Sequence, residues 1–170
     1  MSISEEDRYH IDTSVKDTSI SKILLSHIPY IEEEIKKNHR KPPLIIFDID
    51  DTLLDTSKIS KKFPLFDGLY PTILFYNYVK NLGYHTLILT TRPESKRNIT
   101  IENLNRLKVK NYDDIIFRTN DDISFAKHKF KNRKKLSEKY TIIANVGDQH
   151  SDFDGGYNGK IIIIPTFSTQ

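Results

Sequence analysis

Five short, mainly apolar runs recur along this chain, each bounded by polar or turn-forming residues: 44–47, 87–89 (extended by His85 and Thr86), 115–117, 142–146 and 161–164. Runs such as Leu44-Ile45-Ile46-Phe47 and Ile161-Ile162-Ile163-Ile164 lack the alternation of a half-exposed strand. An unbroken run of this length is how a strand covered on both faces reads. Between the runs lie stretches with helical periodicity. Ile20, Ile23, Leu24, Ile28, Ile31 and Ile35 recur at steps of three and four, so a helix is expected over 20–37, stopped by Pro42 and Pro43. Further helices are expected over 71–82, with Pro71 in its first turn and Gly83 as its stop, over 94–107, and over 131–139. Strands that alternate with helices require crossover connections, so the fold class is α/β: a doubly wound parallel sheet of about five strands with flanking helices. Ligands of such sheets bind at the carboxyl ends of the strands, near the point where strand order reverses.

A chain of 170 residues suits one such domain. Residues 1–18 are polar and aperiodic and read as an N-terminal arm; 19–170 read as the single domain. There is no cysteine, which excludes disulfides, thiolate nucleophiles and cysteine-based metal sites. Glu5, Glu6 and Asp7 precede any apolar run, unlike a secretory signal, and no run is long enough to span a bilayer. A cytoplasmic protein with no membrane partner is the expectation. The net charge of +3 suits anionic ligands, and equally a solvated lysine surface.

The polar residues at three strand ends carry the chemistry. Directly after the first run stands Asp48-Ile49-Asp50-Asp51-Thr52. Carboxylates crowded there repel one another, a cost that calls for a cation or a function, unless the segment is merely a turn with an Asp cap. It is a poor calcium loop, because Thr52 and Leu53 stand where a ligand and a glycine belong. The second run continues into Thr90-Thr91-Arg92, hydroxyls and a guanidinium suited to phosphate oxygens or to capping the next helix. The fourth run ends in Gly147-Asp148-Gln149-His150-Ser151-Asp152, which adds carboxylates on a loop able to face the first; His150 reads as a rim residue. Oxygen-only donors suit Mg²⁺, and the six histidines form no HExxH pairing for zinc.

Taken together, LIIFDIDDT, LILTTRPE and GDQHSD resemble three motifs of the haloacid dehalogenase (HAD) superfamily, and more narrowly its acid phosphatase branch, subfamily III, with the class B acid phosphatases and vegetative storage proteins. The resemblance covers about residues 43–165. The family's remaining motif is a lysine. In the acid phosphatases it commonly precedes an arginine by four positions, with an apolar residue three beyond, a spacing matched by Lys129, Arg133 and Leu136; Lys131 is the alternative.

The resemblance implies a Mg²⁺-dependent phosphomonoester hydrolase in which Asp48 attacks phosphorus and forms a phospho-aspartate, and Asp50 serves as acid and then base. It implies Mg²⁺ held by Asp48, the carbonyl of Asp50, Asp148 and Asp152, and phosphate held by Thr90, Thr91, Arg92 and Lys129. Aspartate at position 50, where the family's transport ATPases carry threonine, favours turnover over a lasting phosphoenzyme. The gaps between motifs leave no room for a sizeable cap domain, so the site should be open to a phosphorylated small molecule or to an exposed phosphoester on a larger substrate. A nucleotide or polynucleotide 3′-end phosphatase is the alternative within the fold; nucleic acid is less favoured because the sequence shows no interleaving of basic and aromatic residues. A non-catalytic binding or storage protein is the alternative of another class, opposed by the intact Asp48 and Asp50. The oligomeric state is open.

Overall fold

Residues 37–42 separate the first helix from the first strand, which opens on Pro43 directly after Pro42, a pair that cannot continue a helix. The computed structural model describes residues 18–57, 65–119 and 123–165. The expected arm over 1–18 therefore lies outside the described residues, apart from Thr18, where the first helix begins. In chain order the elements are α1 (Thr18–Lys36), β1 (Pro43–Phe47), β2 (Leu54–Asp55), β3 (Asp67–Gly68), α2 (Tyr70–Leu82), β4 (His85–Pro93), α3 (Arg97–Arg106), β5 (Asp114–Arg118), α4 (Phe125–Lys139), β6 (Thr141–Gly147) and β7 (Lys160–Ile163). Short 3-10 turns precede α3 and follow β6.

Five strands form one sheet in the order β5-β4-β1-β6-β7, every pairing parallel. From β1 the chain moves outward to β4 and β5, then crosses back to β6 on the other side of β1. The reversal of strand order therefore falls between β1 and β6, where a crevice opens at their carboxyl ends. β2 and β3 pair antiparallel as a separate two-stranded sheet that the apolar pattern does not announce. Two-residue strands carry too little periodicity to be read. Among the described residues between β1 and β4, only this pair and α2 are formed, and no cap domain.

Alternation along β1 divides the core. Ile45 and Phe47 face one cluster with α1 (Ile20, Leu24, Ile28) and α2 (Ile73, Phe75, Val79). Leu44 and Ile46 face a smaller one with Leu87, Leu89 and Tyr140, against which Leu136 of α4 packs. Both faces of the sheet are thus covered, the reason its strands are continuous apolar runs.

Two helices differ from expectation. The stretch over 94–107 begins as a 3-10 turn, Glu94–Lys96, before α3. The helix expected over 131–139 instead starts at Phe125, where the Ser124 hydroxyl caps it by accepting the N–H of Lys127. With Leu136 its sole aliphatic Leu, Ile or Val residue, α4 shows little hydrophobic periodicity, so the cap was the readable signal. The earlier start matters, because it places Lys129 on a rigid element.

Candidate active site

Asp48 follows β1 and stays in the ladder, its N–H donating to the carbonyl of Val146 (2.9 Å). Its side chain continues the side of Leu44 and Ile46, toward α4, where Lys129 is 2% exposed. The ammonium of Lys129 donates to Asp48 Oδ1 (2.8 Å) and to the Leu89 carbonyl, and lies 2.9 Å from Asp152 Oδ1. All three of its protons are thereby engaged. Lys131 is exposed on another side of the helix, two positions away.

The loop after β6 is built around Asp152. One of its oxygens, Oδ2, accepts the N–H groups of Asp148 (3.1 Å) and Gln149 (3.0 Å), while Oδ1 faces Lys129. Gly147 is required by this turn, since a Cβ there would stand 2.5 Å from Asp152 Oδ2 and 2.8 Å from its Cβ. Gly147→Ala is accordingly expected to lower stability by about 2 kcal/mol, as overpacking does, a shift that thermal denaturation would read; an unchanged Tm would mean the loop can move aside. Arg133, fully buried one helical turn beyond Lys129, donates to the carbonyls of Asp152 (2.7 Å), Asp154 and Gly156. The Lys129–Arg133–Leu136 spacing thus has a physical basis: one face of α4 supplies the buried cation, the clamp on the acidic loop and a core contact.

Asp48, Asp148 and Asp152 offer carboxylate oxygens that all lie within 4.8 Å of one another. Thr52, fully buried, bridges two of them, its hydroxyl 3.4 Å from Asp48 Oδ2 and 3.4 Å from Asp148 Oδ1. Sequence reasoning gave Thr52 no role, although the DxDxT pattern contains it. Burial pushes the Asp48 carboxyl well above the ordinary carboxylate range; Lys129 opposes this, and Asp152 and Asp148 reinforce it. Asp148 is raised too, chiefly by burial. Burial also pulls the Lys129 ammonium down, but Asp48 and Asp152 outweigh it and hold the pKa above the ordinary value. Three carboxylates against one ammonium leave two negative charges in surplus. A divalent cation matches that surplus, and an all-oxygen donor set suits a hard one such as Mg²⁺.

The remaining expected residues divide. The crowding at 48–51 is relieved by giving each carboxylate its own partner: Asp51 turns to Thr56 (2.8 Å to its hydroxyl), and Asp50 to Arg92. Arg92, expected on phosphate, grips Asp50 instead, with Nη2 2.6 Å from Oδ1 and Nε 2.9 Å from Oδ2; Nη1 donates to Thr100. A bidentate carboxylate is the stronger partner for a planar guanidinium. Thr90 is fully buried and its hydroxyl accepts the Arg92 N–H (3.1 Å), so its own proton is left to donate. His128, hydrogen-bonded to the Thr90 carbonyl (2.7 Å), links α4 to this strand end. Thr91 contributes its carbonyl to Arg118 (3.2 Å); among the described residues no hydrogen bond joins its hydroxyl to the acidic cluster. His150 is exposed, as a rim residue is.

A parallel α/β sheet with aspartates at the ends of β1 and β6 and a buried lysine between them defines the HAD class of fold. A model of the HAD superfamily, subfamily IIIB (acid phosphatase), matches residues 64–168, and the chain belongs to that family. The match begins beyond Asp48-Ile49-Asp50-Asp51-Thr52, which lies N-terminal to it. Vegetative storage protein 2 of Arabidopsis thaliana is 28% identical over 141 residues, 71% of this chain and 53% of that protein. Acid phosphatase 1 of Solanum lycopersicum is 29% identical over 131 residues, 65% of this chain and 51% of that protein. The chain thus spans about half the length of these curated relatives. The class C acid phosphatase from Bacillus anthracis shares the fold at a TM-score of 0.73 and 21% identity, covering 94% of this chain and 82% of its own.

Proposed function

We propose that this chain is a Mg²⁺-dependent phosphomonoester hydrolase acting through a phospho-aspartate on Asp48. The observation that carries the reading is the pairing of a buried Asp48 with the buried Lys129 beside Asp148. Family membership and the relative named an acid phosphatase support it.

Asp48 attacks phosphorus in line, and the ester oxygen departs as the new acyl phosphate bond forms. A phosphate dianion repels this carboxylate, so positive charge must already be in place. Lys129 supplies one unit at the nucleophile, and Thr90, whose hydroxyl accepts the Arg92 N–H and keeps its own proton to give, donates to a phosphoryl oxygen. Asp48 and Asp148, with the Asp50 carbonyl, would hold the Mg²⁺, which supplies further charge when bound. Asp152 belongs to the same carboxylate cluster and would stand as a further ligand, while it also positions Lys129 and, by accepting the N–H groups of Asp148 and Gln149, the loop. Asp50, at the rim and oriented by Arg92, protonates the leaving alkoxide, then takes a proton from the water that hydrolyses the acyl phosphate.

Turnover of p-nitrophenyl phosphate that requires Mg²⁺ and disappears with EDTA is the expected result. Purified protein that binds phosphate but never turns it over would instead make this a binding or storage protein, the name two of its relatives carry. Asp50→Asn should cut hydrolysis of alkyl phosphates by roughly 10²-fold or more, as loss of acid–base assistance does. Formation of the phosphoenzyme from esters with good leaving groups should suffer far less, because they need no proton; equal losses for both ester types would remove Asp50 from the acid role.

A further inference from the structure

The outer face of α4 concentrates positive charge. It exposes Lys127, Lys131, Lys134, Lys135 and Lys139 against one acid, Glu138, a net +4 where the whole chain carries +3. Lys127, Lys131, Lys134 and Lys135 take part in no ion pair among the described residues. Lys127, Lys131 and Lys135 follow one another at four-residue steps, about 6 Å apart along the helix. Salt bridges elsewhere on the surface, such as Lys37–Glu34 and Arg97–Glu94, show the ordinary arrangement from which this face departs.

Beside the lysines lies a cleft of ≈ 410 Å³ between α4 and β5. Ile116, Phe117 and Ile123 give it an apolar wall; His128, Lys131 and Lys135 give it a polar, cationic one. At its upper end His128 touches the Thr90 carbonyl, so the cleft adjoins the candidate active site. At the same edge of the sheet the half-exposed ring of Phe125 lies under the Arg118 guanidinium, 4.9 Å from its carbon to the ring centroid. The sequence does not show this interleaving of basic and aromatic residues because β5 and α4 bring it together only in space.

We infer that the α4–β5 face binds single-stranded nucleic acid, with the backbone along the lysine row, bases against Phe125 and the apolar wall, and a terminal phosphate directed to Asp48. The lysines alone would suit any polyanion; the aromatic platform and apolar wall select one with exposed, unstacked rings. Delivery of the terminal phosphate rests on the phosphatase reading above, whereas the binding itself does not.

The test is fluorescence anisotropy with a short fluorescein-labelled single-stranded DNA carrying a 3′-phosphate, alongside p-nitrophenyl phosphate turnover. Four lysines on four phosphates predict a salt slope of about −2.8, a loss of roughly fifty-fold in affinity between 50 and 200 mM salt. The triple variant K131E/K134E/K135E should flatten the slope by about 2 and weaken binding at low salt at least thirty-fold, with p-nitrophenyl phosphate turnover as in wild type. The corresponding triple glutamine variant gives the same readout should charge reversal disturb folding. Phe125→Ala should weaken binding about ten-fold without changing the slope. Wild-type binding in the triple variants overturns the inference, as does equal competition by inorganic polyphosphate of matched charge, which has no bases to stack. Strand binding by a protein inactive on p-nitrophenyl phosphate would uphold the surface and refute the phosphatase reading.

Discussion

Asp48→Asn is expected to abolish turnover, lowering kcat by on the order of 10⁴-fold or more, as removal of a nucleophile does. An amide cannot attack phosphorus, nor can it offer a cation a charge. The fold should survive, because Lys129 keeps Asp152 and the Leu89 carbonyl as partners. Without divalent cation, stability at neutral pH should even rise. Burial raises the Asp48 pKa in the folded protein, so its ionisation opposes folding: the wild type loses stability as pH rises through that elevated value. Asparagine has no such ionisation, and the variant's stability should depend less on pH over the same range. Thermal melts against pH in EDTA, with assays in Mg²⁺, check both statements. Near-normal turnover with metal present would end the phospho-aspartate mechanism, whatever the melts show.

Lys129→Ala should lower kcat/KM by roughly 10²- to 10³-fold, about 3–4 kcal/mol of transition-state stabilisation. It should also destabilise the cation-free fold by about 3 kcal/mol, because Asp48 and Asp152 would face each other in a buried site with no counter-charge. Lys131→Ala should behave as wild type toward p-nitrophenyl phosphate, its side chain being exposed. Steady-state kinetics and urea unfolding of both variants decide the matter. If both are silent, neither lysine supports the reaction, and the acidic cluster would need another source of positive charge. A large loss at Lys131 alone would move the role there against the contacts seen at Lys129.

The strands and their alternation with helices were legible because burial on both faces forces continuous apolar runs, as in Leu44 to Phe47, and because Pro42, Pro43 and Gly83 punctuate them. The aspartates at 48 and 148 were legible for a related reason: the ends of buried strands are where a parallel sheet opens to ligands, so carboxylates there stand out against the apolar residues before them. The start of α4 was missed, since a helix that buries His128, Lys129 and Arg133 has almost no hydrophobic period to read.

From local sequence alone follow the layered sheet, its chain order and the acidic strand ends, all consequences of short-range patterning. The partners of each charge followed only from the tertiary structure. Asp48, Asp50 and Asp51 are neighbours in the chain, yet they turn to Lys129, Arg92 and Thr56, groups 81, 42 and 5 positions away. Lys129 and Lys131 differ little as letters in a lysine-rich stretch, and the rotation of one helix buries the first and exposes the second. Hydrogen bonds and charge pairs act over a few ångströms in space whatever their separation along the chain, so the division of labour among these residues is set by packing.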